Sequence, residues 1–449
     1  MPNLATADSA ERLALLEQTI EDLLKEAKRR GASAAEAVVS SSIGLDLSVR
    51  LGEVETVEHT RDHGLGISVY FGHRKGSAST SDLSPGAVRD AVRQACSIAI
   101  HTQEDRCAGL APAELMATAV PNLDLDHPWD IAVDQAVHIA LACEDAARAA
   151  DARIVNSEGA SFGTTAGLSV YGNSHGFVGG YPSTRHELSC AVVAKEGESM
   201  QRDYWWTTAR APQDLEPAEA VGRRAAARTL GRLNARRLGT CEVPVLFRAD
   251  VATGLLRSLA GAISGGNLYR QTSFLLDKLG EPIFPEFVRI YEEPHRLRGL
   301  ASAPFDGDGV ATAAKDLVAD GVLSTWLLDQ YSACRLGLKT TGNAGGARNL
   351  SIALGSDDRD AMIRRLDRGL FVTSLMGQGV RMITGDYSRG AAGFWVEHGE
   401  IQYPVEEITI AGNLSDMYRG LVAVGNDCDF ASSITTGSWL IDRMTIAGE

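Results

Sequence analysis

The sequence has no apolar run near the ~18 residues that a membrane-spanning helix requires. Its opening, MPNLATADSAERL, lacks the basic stretch and apolar core of a secretory leader. A cytoplasmic location is therefore expected, with no membrane partner. Surplus positive charge is also missing: 58 acidic residues against 43 Lys and Arg give a net charge of −15. A chain that coats nucleic acid needs a net basic surface, so nucleic acid is not an expected partner. The seven cysteines, Cys96, Cys107, Cys143, Cys190, Cys241, Cys334 and Cys428, are scattered, odd in number and without a CxxC pair. That pattern predicts reduced, mostly buried thiols. No solenoid period or low-complexity tail is found.

What is present is ordinary globular composition, 44% hydrophobic and 22% charged over 449 residues, enough for two domains. Asp8 and Glu11 form a capping-box-like start to a first helix, with Leu13, Leu16, Ile20, Leu23 and Ala27 at helical spacing and Lys28-Arg29-Arg30-Gly31 at its close. From Ala37 to Ser81 short alternating runs broken by Gly44, Gly52, Gly64 and Gly72 predict three or four antiparallel strands. Helices follow after Ser84-Pro85 and over 131–150, then strands at 154–156, 168–171 and 188–193. A long helix over 217–237 bridges to a second domain, with the boundary at Gly239-Thr240. Beyond it lie a strand at 243–247, helices at 249–263 and 358–368, and otherwise strand and Gly-rich turn. The expectation is an α+β protein of two domains: 1–238, mixed α/β with antiparallel strands, and 239–449, β-rich.

Several arrangements resemble catalytic or metal motifs and fail on local structure. His59 and His63 have helical zinc-ligand spacing, but their neighbours alternate as a strand, which sets the side chains roughly 13 Å apart. Gly172-Asn173-Ser174-His175-Gly176 has the letters of a nucleophile elbow, yet Phe177-Val178-Gly179-Gly180-Tyr181-Pro182 cannot be the helix that must follow. Asp306-Gly307-Asp308-Gly309 has Leu317 where a calcium loop needs its bidentate acid, and reads as a turn with solvated carboxylates. Glu292-Glu293 and Glu406-Glu407 are adjacent rather than facing, so neither is a catalytic pair. Arg224, Arg228, Arg232 and Arg236 draw a basic stripe on the bridging helix, read first as a solvated, snorkelling face.

The stretch Thr384 to Leu414, TGDYSRGAAGFWVEHGEIQYPVEEITIAGNL, is more particular. Physically it is antiparallel strand with tight turns at Gly399 and punctuation at Pro404. In residue order it resembles the TldD/PmbA family, and within it the PmbA (TldE) branch. The resemblance continues in Ala303-Pro304-Phe305-Asp306, in Lys339-Thr340-Thr341-Gly342-Asn343-Ala344, in Ile441 to Gly448, and in Arg50-Leu51-Gly52-Glu53 with Gly64 to Val69. Nearly the whole chain is covered.

In the sister TldD branch the helix corresponding to 249–263 carries HExxxH, two zinc ligands and a general base, with a cysteine near the C-terminus as third ligand. Here those helix positions are Arg257, Ser258 and Ala262, and Phe430 to Gly437 holds no cysteine, with Cys428 nearby but outside the motif. The resemblance thus implies a subunit of a heteromeric peptidase assembly with no catalytic residue, metal ligand or cofactor of its own, zinc being held by a TldD-like partner. It implies roles in peptide proteolysis and precursor maturation, with an extended peptide as substrate and inactivity alone. Residues in segments matching the sister branch's active-site surroundings, Arg257, Asp386, Ser388 and Arg389, are the expected peptide-facing set. A stand-alone peptide-binding or regulatory protein is the alternative, and self-association as a homodimer is left open for the isolated chain.

Overall fold

The computed structural model describes residues 9–448. Asp8, the expected start of the first capping box, lies outside the described residues. Helix α1 (Ser9–Arg29) buries Leu16, Ile20, Leu23 and Ala27 along one stripe. Three strands follow, β1 (Ala34–Arg50), β2 (Glu53–Phe71) and β3 (Arg74–Thr80). Gly44 and Gly64 lie inside β1 and β2 rather than ending them; the turn falls at Leu51-Gly52, both at positive φ, where glycine carries no Cβ penalty.

Helix α2 (Pro85–His101) begins as expected, with the Ser84 hydroxyl accepting from the Ala87 N–H and proline in the first turn. After α3 (Val133–Arg148) the chain forms two long strands, β4 (Ile154–Asn173) and β5 (Val178–Glu196), and then β6 (Ser199–Ala209). The sequence pattern divided β4 into separate pieces and missed β6 altogether.

These strands make one six-stranded antiparallel sheet in the order β3-β2-β1-β4-β5-β6. Its covered face is packed in two patches. Leu16, Ile20 and Leu23 of α1 and Val92 of α2 sit on Val39, Leu65, Val69 and Val170. Ala140 of α3 and Val221 of α4 (Ala218–Leu230) sit on Leu47, Phe162, Leu188 and Trp205. The α3–α4 contact is close enough to require glycine: a Cβ on Gly222 would lie 2.0 Å from the Cys143 carbonyl oxygen. Helix α4 stops at Leu230, short of the expected Arg237, because Asn234 takes a positive φ and turns the chain towards the second half.

The second half opens with β7 (Cys241–Phe247), α5 (Ala249–Ala262) and α6 (Gly265–Tyr269). Short elements follow: β8 (Ile290–Glu292), β9 (Lys315–Ala319), β10 (Val322–Leu323), α7 (Gln330–Leu336), β11 (Leu350–Ile352) and α8 (Arg359–Leu366). Then come β12 (Gly369–Met376), β13 (Val380–Arg381), β14 (Asp386–Glu397), β15 (Glu400–Asn413), α9 (Leu414–Arg419), β16 (Leu421–Val424), β17 (Ile434–Thr435) and β18 (Trp439–Ala447). Gly369 opens β12 rather than closing α8; the chain leaves the helix through Asp367 at φ 55°.

Strands β12, β7, β18, β15 and β14 pair in that order, and β14 pairs back to β12, so the five strands close on themselves and leave no edge among them. One side of this ring, through Val245, Phe247, Leu370, Val372, Tyr387 and Ile441, packs on Leu255, Leu256 and Leu259 of α5. The alternate residues Leu246, Phe371 and Leu440 pack under Met362, Ile363 and Leu366 of α8. A smaller sheet, β10-β9-β8-β11-β17, completes this half.

The halves are joined by side chains the sequence assigned elsewhere. The arginine stripe is not a solvated face. Arg228 reaches Asp203 at 3.4 Å and Asp250 at 3.2 Å, Arg232 reaches Asp203 at 3.7 Å, and Arg224 pairs with Asp429 while lying 3.6 Å from the Trp205 ring centroid. The sulfurs of Cys107 and Cys334 are bonded, across 227 residues of chain, where reduced thiols were expected. The widely separated positions offered no spacing signal for that pairing.

Candidate functional site

Helix α5 forms because Leu255, Leu256, Leu259 and Ala262 recur at helical spacing and are buried against the ring. Its first turn is fixed by a buried ion network: Arg248 donates to Asp250 at 2.6 Å and to the Thr373 carbonyl. Burial pushes the Asp250 carboxyl up, but the guanidiniums of Arg248 and Arg228 more than offset it and hold it below the usual range. On this anchored helix Arg257 is exposed and Ala262 is fully buried. The Ser258 hydroxyl donates to the Gly254 carbonyl at 2.9 Å, an ordinary back-bond within the helix. A guanidinium offers no lone pair, a methyl group none, and a serine hydroxyl is too weak a base at neutral pH to serve in place of a carboxylate.

The region of the expected third position is equally occupied. Thr436 is buried and accepts from the Trp439 indole at 2.7 Å, and the Ser438 hydroxyl donates to Asp427. Cys428 is half-buried, and burial pushes its thiol up, away from the thiolate a metal would need. Among the described residues, no group of three or more His, Cys, Asp and Glu side chains is placed to hold a metal ion.

Strand β14, one of the five strands of the ring, divides the other candidates by alternation. Asp386 and Ser388 are exposed; Tyr387 and Arg389, with Ala391, point the opposite way, towards the core that contains α5. Asp386 is absorbed by its turn, accepting from the Thr384 hydroxyl at 2.6 Å and from the Asn413 amide at 3.4 Å. Tyr387 is 3% exposed; its hydroxyl has the Arg389 guanidinium as a polar neighbour and no acceptor among the described residues. Burial pushes that phenol up to about 12, with Arg389 pulling against it, so the group keeps its proton at neutral pH. Arg389 is in the expected peptide-facing set and Tyr387 is not, although period-2 alternation puts both on one face.

Other motif residues prove structural. The Ser174 hydroxyl accepts from the Ala35 N–H at 3.0 Å in the β4–β5 hairpin, tying that loop to β1. His59 and His63 lie on β2, as the alternation implied. The carboxylates of Asp306 and Asp308 are not solvated. Asp306 is 2% exposed and accepts from the N–H groups of Asp308, Val310 and Ala344. Asp308 accepts from the Gln330 N–H, and burial pushes its carboxyl up to about 7, with Asp306, Glu36 and Asp329 adding to the rise. Glu292 is 1% exposed and receives the Asn343 amide, the Arg348 N–H and Lys315 at 3.1 Å.

Models of the PmbA/TldA metallopeptidase domain 1, central domain and C-terminal domain match residues 35–99, 126–233 and 240–448. The chain is 52% identical to a protein named metalloprotease PmbA from Escherichia coli O157:H7, over 97% of this chain and 96% of that one. A PmbA homologue from Haemophilus influenzae is 49% identical over 96% of each. A crystal structure from Bacteroides thetaiotaomicron, described as a candidate modulator of DNA gyrase, superposes with a TM-score of 0.91 at 27% identity, covering 96% of this chain and 99% of its own. TldE from Thermococcus kodakarensis shares the fold, with a TM-score of 0.82 at 22% identity over 96% of this chain and 100% of its own.

Proposed function

The chain belongs to the PmbA/TldD metallopeptidase family, on its PmbA branch, and from that premise we propose that it is the metal-free subunit of a heteromeric peptidase. The observation that carries this reading is the face of α5. At the positions where the sister branch has HExxxH stand an exposed arginine, a serine engaged with its own helix and a buried alanine. Zinc does not fit these residues, which lack the imidazole and carboxylate donors it takes. The name metalloprotease belongs to those relatives. For this chain the reading is that a TldD-like partner holds the zinc, and that this subunit helps hold an extended peptide for it, in the maturation or degradation of peptides in the cytoplasm. A peptide held chiefly by main-chain hydrogen bonds would be accepted with little sequence preference.

The test is to purify the chain alone and mixed with a zinc-bearing homologue from the same source. Alone it should carry far less than stoichiometric zinc and leave an unfolded peptide uncut; the mixture should form a stable complex and cut it. Stoichiometric zinc with chelator-sensitive cleavage by the chain alone overturns the proposal. Failure to form a complex at physiological concentration turns the reading to a stand-alone peptide-binding or regulatory protein.

A further inference from the structure

Polar groups left without partners in a packed interior are costly, so each one asks for an explanation. Tyr387 and Arg389 are two such residues, two positions apart on one face of β14 and turned towards the α5 side of the ring. The Tyr387 hydroxyl is buried with no acceptor for its proton, its polar neighbour being the Arg389 guanidinium, and the Arg389 Nε is buried without an acceptor. No acidic side chain among the described residues pairs with Arg389. Scarcity of acids is not the cause, because the chain carries 58 acidic residues against 43 basic ones. Other arginines whose Nε is buried and unsatisfied use their remaining donors: Arg228 on Asp203 and Asp250, Arg348 on the Ala344 carbonyl, Arg359 on Asp429. Among the described residues Arg389 has no acid or carbonyl acceptor of that kind; its neighbour is the Tyr387 phenol.

A half-buried guanidinium beside a neutral phenol presents a planar fork of N–H donors and one O–H donor, and no acceptor that satisfies them. The chemistry that matches is a carboxylate, bound bidentately by the guanidinium with the phenol as an added donor. We propose that Tyr387 and Arg389 form a receptor for a carboxylate carried by an extended peptide, from its C-terminus or from an acidic side chain. This rests on the reading of the chain as a peptide-holding subunit, and gives that subunit a charge preference on top of sequence-tolerant backbone pairing. Asp386 and Ser388, on the exposed face of the same strand, take no part in it.

The test uses the full chain with its zinc-bearing homologue and dansyl-labelled six-residue peptides of alanine and serine in three forms: free acid, amide, and amide with one internal glutamate. A carboxylate bound by a charged fork should favour an acid-bearing form over the plain amide by about tenfold in Kd. Whichever of the two acid-bearing forms shows the preference identifies the source of the carboxylate. Arg389→Gln should abolish the preference, Arg389→Lys should retain part of it, and Tyr387→Phe should lower it a few-fold, with melting temperatures reporting whether each variant is folded. If a variant fails to fold, the wild-type comparison of the three peptides decides alone. Equal binding of all three forms overturns the receptor and leaves the peptide-holding reading in place. No binding of any form overturns both.

Discussion

In the first half of the chain, β1, β2, β4 and β5 run for 17 to 20 residues each, and their ladders register almost without interruption across the sheet. In the second half, strands range from 2 to 14 residues, and buried polar side chains do much of the tying. Glu292, Asn343 and Lys315 form one knot, Asp306 with three N–H groups another, and Asn349 a third, bonded to Ser302 and to the Glu293 carbonyl. The motifs that mark the family, APFD at 303–306 and KTTGNA at 339–344, fall on these knots. Long ladders spread their stabilisation over many equivalent bonds, whereas a knot concentrates it in a few groups that cannot be left unpaired. Motif identity in the second half therefore reports how the backbone is held, not where chemistry happens.

The largest test of that contrast is Glu292→Ala. It leaves the Arg348 N–H without its acceptor and Lys315, 20% exposed, without its carboxylate, with only the neutral Thr341 carbonyl and Asn343 amide oxygen still accepting from it. Breaking one side of a buried pair costs about 3–5 kcal/mol, read as a drop in urea-unfolding free energy. The first half should answer instead to lost volume. Leu188→Ala, under the α3–α4 patch, should cost about 3 kcal/mol by cavity formation. A polar change on the open face of the same sheet, Ser189→Ala, should cost almost nothing. If Glu292→Ala is as mild as Ser189→Ala, the knots are not what holds the second half.

The junction between the halves gives the next effect. Cleaving the Cys107–Cys334 bond with dithiothreitol, or replacing Cys107 by serine, should lower stability by about 2–4 kcal/mol. Tyr331–Asp105 at 2.7 Å and the Arg228–Asp203–Asp250 network should keep the halves docked. Disulfides are rare in reducing compartments, so counting free thiols in protein from cytosol-like buffer also bears on where the chain works. Loss of docking on reduction, seen as separate unfolding transitions, would show that the bond rather than the ion network unites the halves.

These contrasts also explain what was legible in the sequence. Periodicity revealed α1, α2, α3 and α5 and the antiparallel character of the first sheet, because Leu16, Ile20 and Leu23 or Val39, Leu45 and Leu47 repeat with the period of their own element. It did not reveal that Gly44, Gly64 and Gly163 sit inside long strands, since neighbouring strands, not local propensity, keep those residues extended. Closure of β14 onto β12 is non-local and leaves no mark in either segment. At the candidate site, the residue types at 257, 258 and 262 were readable directly. The burial of Tyr387 was not, because a tyrosine between Asp386 and Ser388 looks like part of an exposed turn until its face is fixed by Ala391 and the ring.

Proton linkage probes the junction more gently. Asp308 has its carboxyl raised from 3.8 to about 7 by burial and by the nearby carboxylates of Asp306, Glu36 and Asp329. Glu36 is itself held by the hydroxyls of Tyr70 and Tyr171. A carboxyl whose native pKa lies above its unfolded value binds the proton more tightly when folded. Its stabilising contribution is complete below about pH 4 and is lost as pH rises through about 7. The wild type should therefore lose stability relative to Asp308→Asn between pH 5 and pH 8, measured as the difference between their urea midpoints. Parallel pH profiles would mean that Asp308 is not strained against Glu36 across the junction.

The smallest effect is expected at Ser174, and it separates a motif's letters from its geometry. In an elbow the serine hydroxyl is free at the top of a strand and faces a base; here it accepts from the Ala35 N–H at 3.0 Å and lies in a hairpin loop. Neighbouring His175 has only its backbone N–H engaged, with Asn173, which makes it part of the turn and not a partner for the serine. Ser174→Ala should cost about 1 kcal/mol for the lost acceptor and leave peptide cleavage by the complex unchanged. A large fall in cleavage with stability intact would place chemistry in the first half, where long ladders and apolar packing have so far accounted for the residues.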